Sequence, residues 1–364
     1  MIIENLELKQ DIISLVEQYG DYLIEDTIIG FEDNVSRTWL VERNGKIVTD
    51  DFSLNGNSGI ALFLIYLSKV SKFNYFIFTS KEAMTEPIEK IDEIKILNSY
   101  DNIEFDLNDL IDIVFVLSKL YENLNEDYIK ISIIKGIEII NSYIIKTKRI
   151  FKLNLNVLIM LYELFGFNRK QLMKLFTSIN NFLYKKVKID DFKVLSQTNM
   201  DDLIIYLAKI VKISNDERMN TVISKLLKFQ RQKKIIPNNK NLLSRLILKE
   251  NEYLDKTIDE EIYDGLNNII HSVKNIKNDN LSGLYDIVRQ LDIIEYATKV
   301  YNNELINNYK NFYDKEIICK LKFEVEQVIK HGDRNIAFKK GVTGLAYYLI
   351  RYCDPKIVPC LLLL

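Results

Sequence analysis

The sequence predicts an all-α fold with one small β-hairpin near the amino terminus. Apolar residues recur at positions i, i+3 and i+4 along almost the whole chain, which is the pattern of amphipathic helices. Glycine and proline interrupt helices and are scarce here, at 12 and 4 of 364 residues. The exception is residues 38–50, where two extended runs flank Asn44-Gly45, a pair that favours a type I′ turn. We therefore expect a series of helices interrupted by one hairpin.

Two kinds of helix alternate along the chain. The first kind is amphipathic, as in residues 5–28, 128–146 and 219–233. The second kind is apolar on every side, and such helices are buried. The apolar stretches are residues 59–69, 110–121, 156–165, 202–211, 241–248, 283–291 and 344–352. They recur roughly every 40–60 residues, a spacing typical of repeat architectures. This alternation predicts an inner ring of about seven helices wrapped by an outer ring of about seven, with an open α-solenoid as the alternative.

The first and last apolar helices begin alike. GNSGIALFLIYLSK (56–69) and GVTGLAYYLIRYCD (341–354) share two glycines, an alanine, a leucine and an isoleucine in register. An open solenoid tends to have atypical polar ends, so two matching apolar ends favour a closed ring. Glycine at a helix start indicates a close approach of the backbone to its surroundings. We therefore expect a structural role for Gly56, Gly59, Gly341 and Gly344.

Composition and charge exclude several classes of protein. A net charge of −2 and a pI near 6.0 give the chain no overall basic character that would favour nucleic acid. Three cysteines, an amino terminus unlike a signal peptide and the lack of any run of ~18 apolar residues predict a reduced, cytoplasmic protein without a membrane span. We expect one domain over residues 1–364, in which residues 1–51 form an amino-terminal helix and hairpin that lead into the ring.

Both ends of the chain resemble the lanthionine synthetase cyclase family. FSLNGNSGIALFLIYLSK (52–69) is similar to the first inner-helix motif of that family. Residues 341–364 are similar to its carboxyl-terminal motif, with Gly-x-x-Gly, Leu-x-Arg, Asp-Pro and a terminal Pro-x-Leu-Leu. Residues 19–41 also resemble the cyclase domain of the class II lanthipeptide synthetases. The resemblance spans nearly the whole chain and implies an α/α toroid that acts in lanthipeptide maturation, without the dehydratase domain of the class II enzymes.

The resemblance also implies where a metal site would lie. Catalytic members of the family hold zinc at the barrel mouth through two Cys and one His, and the zinc activates the thiol of a substrate cysteine. The first Cys would fall within residues 230–248, which contain no Cys, His or Gly. The other two ligands would fall at Asn278-Asp279-Asn280, ahead of Gly283, which fits the family's second glycine. The zinc of the family is therefore predicted to be absent, and no cofactor is expected.

The remaining catalytic positions of the family are also changed. Its additional His falls near Thr198, and its Asp falls within residues 148–160, which contain no acid. Asp201 and Asp202 begin the fourth inner helix and Asp279 precedes the sixth, so helix capping is the expected use of these acids. The other reading is a polar barrel mouth that binds a peptide. The candidate mouth residues are Thr198, Asp201, Asp202, Asn278, Asp279 and Asn280, while Arg351 is a candidate for a buried ion pair that holds the ring closed.

The soft metal ligands that the chain does contain lack a compact ligand spacing. They are Cys319, Cys353, Cys360, His271 and His331. Free cysteine is common as a small buried apolar residue, so structural thiols are expected. A surface or capping role is expected for His271. No metal site is predicted from these residues.

Three functions stay open. The first is a non-catalytic relative of the cyclases that binds a precursor peptide, a lanthipeptide synthetase or a dehydratase, and the missing zinc ligands favour it. The second is an active, metal-independent cyclase, in which a base near the mouth deprotonates a substrate thiol that adds to a dehydrated Ser or Thr. The third is an α/α-barrel scaffold unrelated to peptide maturation.

Overall fold

The computed structural model describes residues 2–30, 36–43, 45–49, 51–97, 106–147, 155–164, 166, 169–187, 197–232, 238–253, 257–275, 281–301, 304–332, 335–338 and 341–360. Within these residues the chain is mostly helical, which confirms the all-α prediction. The helices are α1 (Ile2–Glu25), α2 (Asn57–Ser71), α3 (Tyr75–Ala83), α4 (Thr85–Leu97), α5 (Leu107–Leu124), α6 (Asp127–Thr147), α7 (Leu155–Leu164), α8 (Arg169–Val187), α9 (Gln197–Ser214), α10 (Arg218–Gln232), α11 (Asn239–Glu250), α12 (Ile258–Asn275), α13 (Leu281–Tyr301), α14 (Glu304–His331) and α15 (Val342–Cys353). No helix in the described parts of the chain has the length and apolar character needed to cross a membrane.

Two pairs of short antiparallel strands lie between α1 and α2. The first pair is β1 (Ile28–Ile29) with β2 (Arg37–Thr38), and the second is β3 (Val41–Arg43) with β4 (Lys46–Val48). Asn44 lies outside the described residues, but Gly45 has φ +76°, as a type I′ turn requires. The hairpin predicted for residues 38–50 is therefore confirmed. The β1–β2 pair was not predicted, because strands of two residues carry no periodic pattern.

Local sequence explains where the buried helices begin and end. In α2, every residue from 57 to 68 is buried, and the helix ends where Lys72 adopts the left-handed conformation with φ +64°. Helix α5 is capped at its start by Asp106, whose side chain accepts a hydrogen bond from the backbone N–H of Asn108 at 3.0 Å, and at its end by the left-handed residue Asn125. All the apolar stretches identified in the sequence are helical in the residues that the structure describes.

The buried helices pack against one another in chain order. Helix α2 packs on α5, α5 on α7, α7 on α9, α9 on α11, α11 on α13 and α13 on α15, and α15 in turn packs on α2. Each buried helix except α15 also packs on the helix that follows it in the chain, namely α3, α6, α8, α10, α12 or α14. Helix α15 packs on α1 instead. The amino-terminal helix is thus a packing partner of the last buried helix.

Buried polar groups join neighbouring elements. The indole Nε1 of Trp39 donates to the carbonyl of Leu23 at 2.7 Å, and its backbone N–H donates to Asn57 Oδ1 at 2.9 Å, so the hairpin region is attached to both α1 and α2. Where α13 packs against α15, Arg351 pairs with Asp292 and, through Nη2, with Glu295 Oε2 at 2.9 Å. The predicted buried ion pair of Arg351 is therefore confirmed.

Candidate functional site

The four motif glycines allow two helix starts to pack against the same short segment. The backbone N–H of Phe338 donates to the carbonyl of Asn55 at 3.0 Å, just before α2. A Cβ atom on Gly59 would overlap the side chain of Phe338, and one on Gly344 would overlap its carbonyl oxygen. Gly56 and Gly341 are equally close to the carbonyls of Asp51 and Ala337. These glycines therefore serve close backbone packing, as their spacing predicted.

The candidate site is a polar cluster at the starts of α7, α9 and α11. We call it the α9–α11 cluster, and its members are Asn156, Asp201, Asp202, Gln230, Lys240, Asn241 and Arg245. Side chains of α7, α9, α10 and α11 converge here within an otherwise apolar layer. A buried polar group is costly unless it finds hydrogen-bond partners. The bonding of each side chain therefore determines what the cluster is able to do.

Asp201 is fully buried and only partly satisfied. Its Oδ1 accepts from Gln230 Nε2 at 2.8 Å and from Asn241 Nδ2 at 3.1 Å. Its Oδ2 has no hydrogen-bond partner among the described residues. Loss of solvation raises the pKa of the Asp201 carboxyl, an effect that the two amide donors and the nearby Arg245 guanidinium oppose.

Gln230 is held at both ends of its amide group. Its Nε2 donates to Asp201, and its Oε1 accepts from Arg245 Nη2 at 2.9 Å. Arg245 is buried and also pairs with Glu261, which accepts from Arg231 Nε at 2.8 Å. A continuous chain of hydrogen bonds thus runs from Asp201 through Gln230 and Arg245 to Glu261 on helix α12. Such a network fixes side-chain positions, and each member depends on its neighbours.

Asp202 faces a different set of partners. Lys240 Nζ lies 2.7 Å from Asp202 Oδ2, and Asn156 Nδ2 donates to Oδ1 at 3.3 Å. Because the three residues belong to α9, α11 and α7, this carboxylate joins three successive buried helices. Unlike Asp201, it stays partly exposed. Asp202 and Lys240 are equally exposed, at 33% of their side-chain surface.

The structure corrects one prediction about these acids. Helix α9 begins at Gln197, so Asp201 and Asp202 lie in its second turn, and its first turn carries no acidic residue. The capping role predicted for them is wrong, since both carboxylates bind side chains of other helices. Thr198 belongs to the first turn of α9, and Gly283 to the first turn of α13. The other predicted mouth residues, Asn278, Asp279 and Asn280, lie outside the described residues.

The sequence did not single out Asn156, Gln230, Lys240 and Asn241 as site residues. Their only signal is a polar residue at or near the end of a helix. That signal is weak, because polar residues at helix ends are common. The partners lie 29 and 40 residues from Asp201. Only the packing of α9 against α10 and α11 brings them together.

A cavity of about 210 Å³ adjoins the start of α11. Its lining combines the side-chain amides of Asn238, Asn239, Asn268 and Gln290 with the apolar side chains of Leu242 and Ile269 and with Gly265. Asn238 also caps α11, since its Oδ1 accepts from the backbone N–H of Asn241 at 2.8 Å. The volume is below the roughly 300–1,000 Å³ of small-molecule sites. A cavity of this size, bordered by both amide-bearing and apolar residues, has room for about one side chain.

The soft ligands are dispersed in the structure. His271 is exposed on α12, as predicted, and His331 is exposed at the end of α14. Cys319 is exposed, which contradicts the prediction of a structural thiol in the core. Cys353 is half-buried with Sγ 3.6 Å from the carbonyl of Lys9, and burial raises its pKa to about 12. The described residues contain no group of three His, Cys, Asp or Glu side chains placed to hold a metal ion.

Comparison with known proteins adds no family assignment. No protein-family model matches the chain, and no curated protein matches it.

Proposed function

We propose that this chain is a non-catalytic, peptide-binding relative of the lanthionine synthetase cyclases, built as an α/α toroid. The order of helix packing supports the ring, because the last buried helix returns to the first. The shared packing of Gly59 and Gly344 against Phe338 supports the likeness of the two end motifs. On this proposal the protein works in the cytoplasm, and its partner is a precursor peptide, a synthetase or a dehydratase of the same maturation system.

The observation that carries the proposal is the chemistry at the start of α11. There the resemblance places a zinc thiolate, and the chain instead offers Asn238 and Asn239 in the lining of a cavity that Asn268 and Gln290 also border. Zinc prefers thiolate and imidazole ligands, so these residues do not fit that ion. Amides donate and accept hydrogen bonds at once, and therefore match a peptide backbone.

The alternative of a metal-independent cyclase needs an accessible base. Burial raises the pKa of the Asp201 carboxyl, which is the direction that a general base at neutral pH needs. However, it is fully buried and its Oδ1 already accepts two hydrogen bonds. A substrate thiol would have to approach the other oxygen, Oδ2, which has no hydrogen-bond partner among the described residues but is itself buried. A toroid that serves only as a scaffold would not use the cavity. Filling the cavity by substitution would therefore leave that function intact.

A single peptide tests these functions. The probe is a fluorescein-labelled synthetic peptide with one dehydroalanine and one cysteine, added to purified protein whose zinc content is measured in parallel. We expect a rise in anisotropy, an unchanged count of free thiols after alkylation and mass spectrometry, and zinc far below one equivalent. Loss of thiol relative to a protein-free sample would establish the cyclase, and stoichiometric zinc or no binding would overturn the proposal.

A matched pair of variants locates the binding. Asn268→Leu alters the cavity lining and should raise the dissociation constant about ten-fold, a change of about 1.4 kcal/mol. Asn267→Leu changes the adjacent exposed residue of the same helix, which does not line the cavity, and should leave binding unchanged. Equal effects of the two substitutions would mean that the peptide binds elsewhere.

A further inference from the structure

Three aromatic side chains are exposed where α2 passes into α3. Phe73, Tyr75 and Phe78 are each between 42% and 52% exposed. The ring centroids of Phe73 and Tyr75 lie 5.7 Å apart, and Phe78 follows Tyr75 by about one helical turn. Large apolar side chains that lie together on a surface are typical of interaction sites. These three residues therefore differ from a single exposed apolar side chain, which needs no explanation.

Carboxylates of α1 lie directly beside this strip. Asp21 Oδ1 accepts the hydroxyl proton of Tyr75 at 2.8 Å. Glu17, Asp21 and Glu25 follow one another at intervals of four residues, which places them on one face of the helix. Desolvation raises the pKa of Glu17, and repulsion from the nearby Asp21 carboxylate raises it further. None of these three acids forms an ion pair within the described residues.

The two features are held together by tight packing. Gly20, next to Asp21 in the chain, lies so close to Leu67 and Phe76 that a Cβ atom would overlap both side chains. Helix α1 therefore rests directly on the buried face of α2 and α3. Tyr75, adjacent to Phe76, is left on the outer side next to Asp21. A rigid surface of this kind loses little conformational entropy when it binds.

The net charge of this surface is negative. Lys81, one turn beyond Phe78, is paired with Glu126 at 2.9 Å. Lys72 is the cation that precedes the strip in the sequence, while the adjoining part of the chain in α1 and just after it carries four acids, Glu17, Asp21, Glu25 and Asp26. Carboxylates and aromatic faces both attract ammonium and guanidinium groups. The same charges repel a nucleic acid or an anionic membrane.

We propose that the surface formed by Glu17, Asp21, Phe73, Tyr75 and Phe78 docks a cationic, apolar segment of a partner polypeptide. We call it the α1–α3 surface. Charge complementarity selects this occupant, since the segment must supply both lysine or arginine and apolar side chains. The inference is independent of the proposed function, because it involves α1 and α3 rather than the cavity beside α11.

Anisotropy with two synthetic peptides tests the docking. The probe is a labelled amphipathic peptide of lysine and leucine, and its counterpart has glutamate in place of each lysine. We expect binding of the lysine peptide alone, weakened when ionic strength rises from about 0.05 to about 0.5 M. Phe78→Ser and Asp21→Asn should each raise the dissociation constant, the former about ten-fold or more.

The control is Phe323→Ser. Phe323 lies on α14, is 54% exposed against 52% for Phe78, and has Lys320 and Lys322 as near neighbours. The substitution Phe323→Ser should leave binding of the lysine peptide unchanged. Equal loss in both phenylalanine variants, or binding of the glutamate peptide, would overturn the proposal. So would a concentration-dependent dimer in sedimentation that Phe78→Ser abolishes, because a second copy of the chain would then occupy the surface.

Discussion

The hydroxyl groups of Tyr19 and Thr343 lie 2.8 Å apart in the core, although 324 residues separate them in the chain. Thr343 donates its own proton to the carbonyl of Ile336, so Tyr19 is the donor in this pair. Lys9, on the same helix as Tyr19, donates through Nζ to the carbonyl of Cys353 at 3.0 Å. These contacts join the first helix to the last. The two ends of the chain are thus linked by specific polar contacts as well as by apolar packing.

Removing either hydroxyl should destabilise the fold by different amounts. Tyr19→Phe removes one buried hydrogen bond and should lower the free energy of unfolding by about 0.5–1.5 kcal/mol. Thr343→Val leaves the hydroxyl of Tyr19 buried without an acceptor, at a cost of about 1–3 kcal/mol. Urea denaturation measures both values. The exposed Thr177→Ala serves as control, and equal stability of all three variants would show that the pair does not contribute.

Arg351 and Lys299 both bind Glu295 and provide a matched comparison. Arg351 is buried between α13 and α15, whereas Lys299 is largely exposed with Nζ 3.0 Å from Glu295 Oε1. Arg351→Met removes the positive charge that faces the buried Asp292 carboxylate and should cost about 3–5 kcal/mol. Lys299→Met should cost less than about 1 kcal/mol. Thermal or urea unfolding would contradict this account if the two substitutions cost the same.

Much of the fold follows from local patterns in the sequence. Helix periodicity and the Asn-Gly turn depend on neighbouring residues, so the helices and the β3–β4 hairpin were predictable. The glycine pairs that begin at Gly56 and Gly341 indicated in the sequence that another part of the backbone comes close to each helix start. The sequence did not indicate which segment that is. Phe338, which packs against both helix starts, precedes the second pair by a few residues and gave no signal of its own.

The candidate site was predictable only in part. Asp201 and Asp202 stood out as acids at the edge of an apolar stretch, but the start of α9 lies one turn earlier than expected. The hydrogen-bond partners of Asp201 come from α10 and α11, and nothing in the sequence specifies how helices pack sideways. For the same reason Gln230, whose amide bridges Asp201 and Arg245, could not be recognised. Site chemistry here is a product of tertiary packing.

Gly344→Ala should lower the free energy of unfolding far more than a glycine-to-alanine substitution at an open position. The new methyl group would overlap the carbonyl oxygen of Phe338, which is backbone and cannot rotate away. Overpacking of this kind costs about 1–3 kcal/mol or more. Among the described residues, no atom lies within 4 Å of a Cβ position on Gly166, so Gly166→Ala is the matched control and should be nearly neutral. Similar unfolding midpoints for the two variants would refute the close approach at Phe338.

The buried carboxyl of Asp201 should make stability fall as pH rises. Its pKa is raised above the ordinary 3.8 by loss of solvation, so the folded chain binds this proton more tightly than the unfolded chain does. The contribution is therefore greatest below pH 3.8 and is lost as pH rises through the raised pKa. Asp201→Asn removes the titration, so the stability of the variant relative to wild type should increase with pH, by at most about 1.4 kcal/mol per pH unit.

Asp216 provides a control of opposite sign. Its hydrogen bonds from Arg218 hold the pKa of Asp216 below 3.8, so this carboxylate stabilises the fold at neutral pH and loses that effect as pH falls. The stability of Asp216→Asn relative to wild type should therefore decrease with rising pH, whereas that of Asp201→Asn increases. Urea titrations between about pH 3 and 7 compare the two slopes, where carboxyl groups titrate. Slopes of the same sign would mean that burial does not govern the titration of Asp201, and the open Oδ2 would then have to be reached by water.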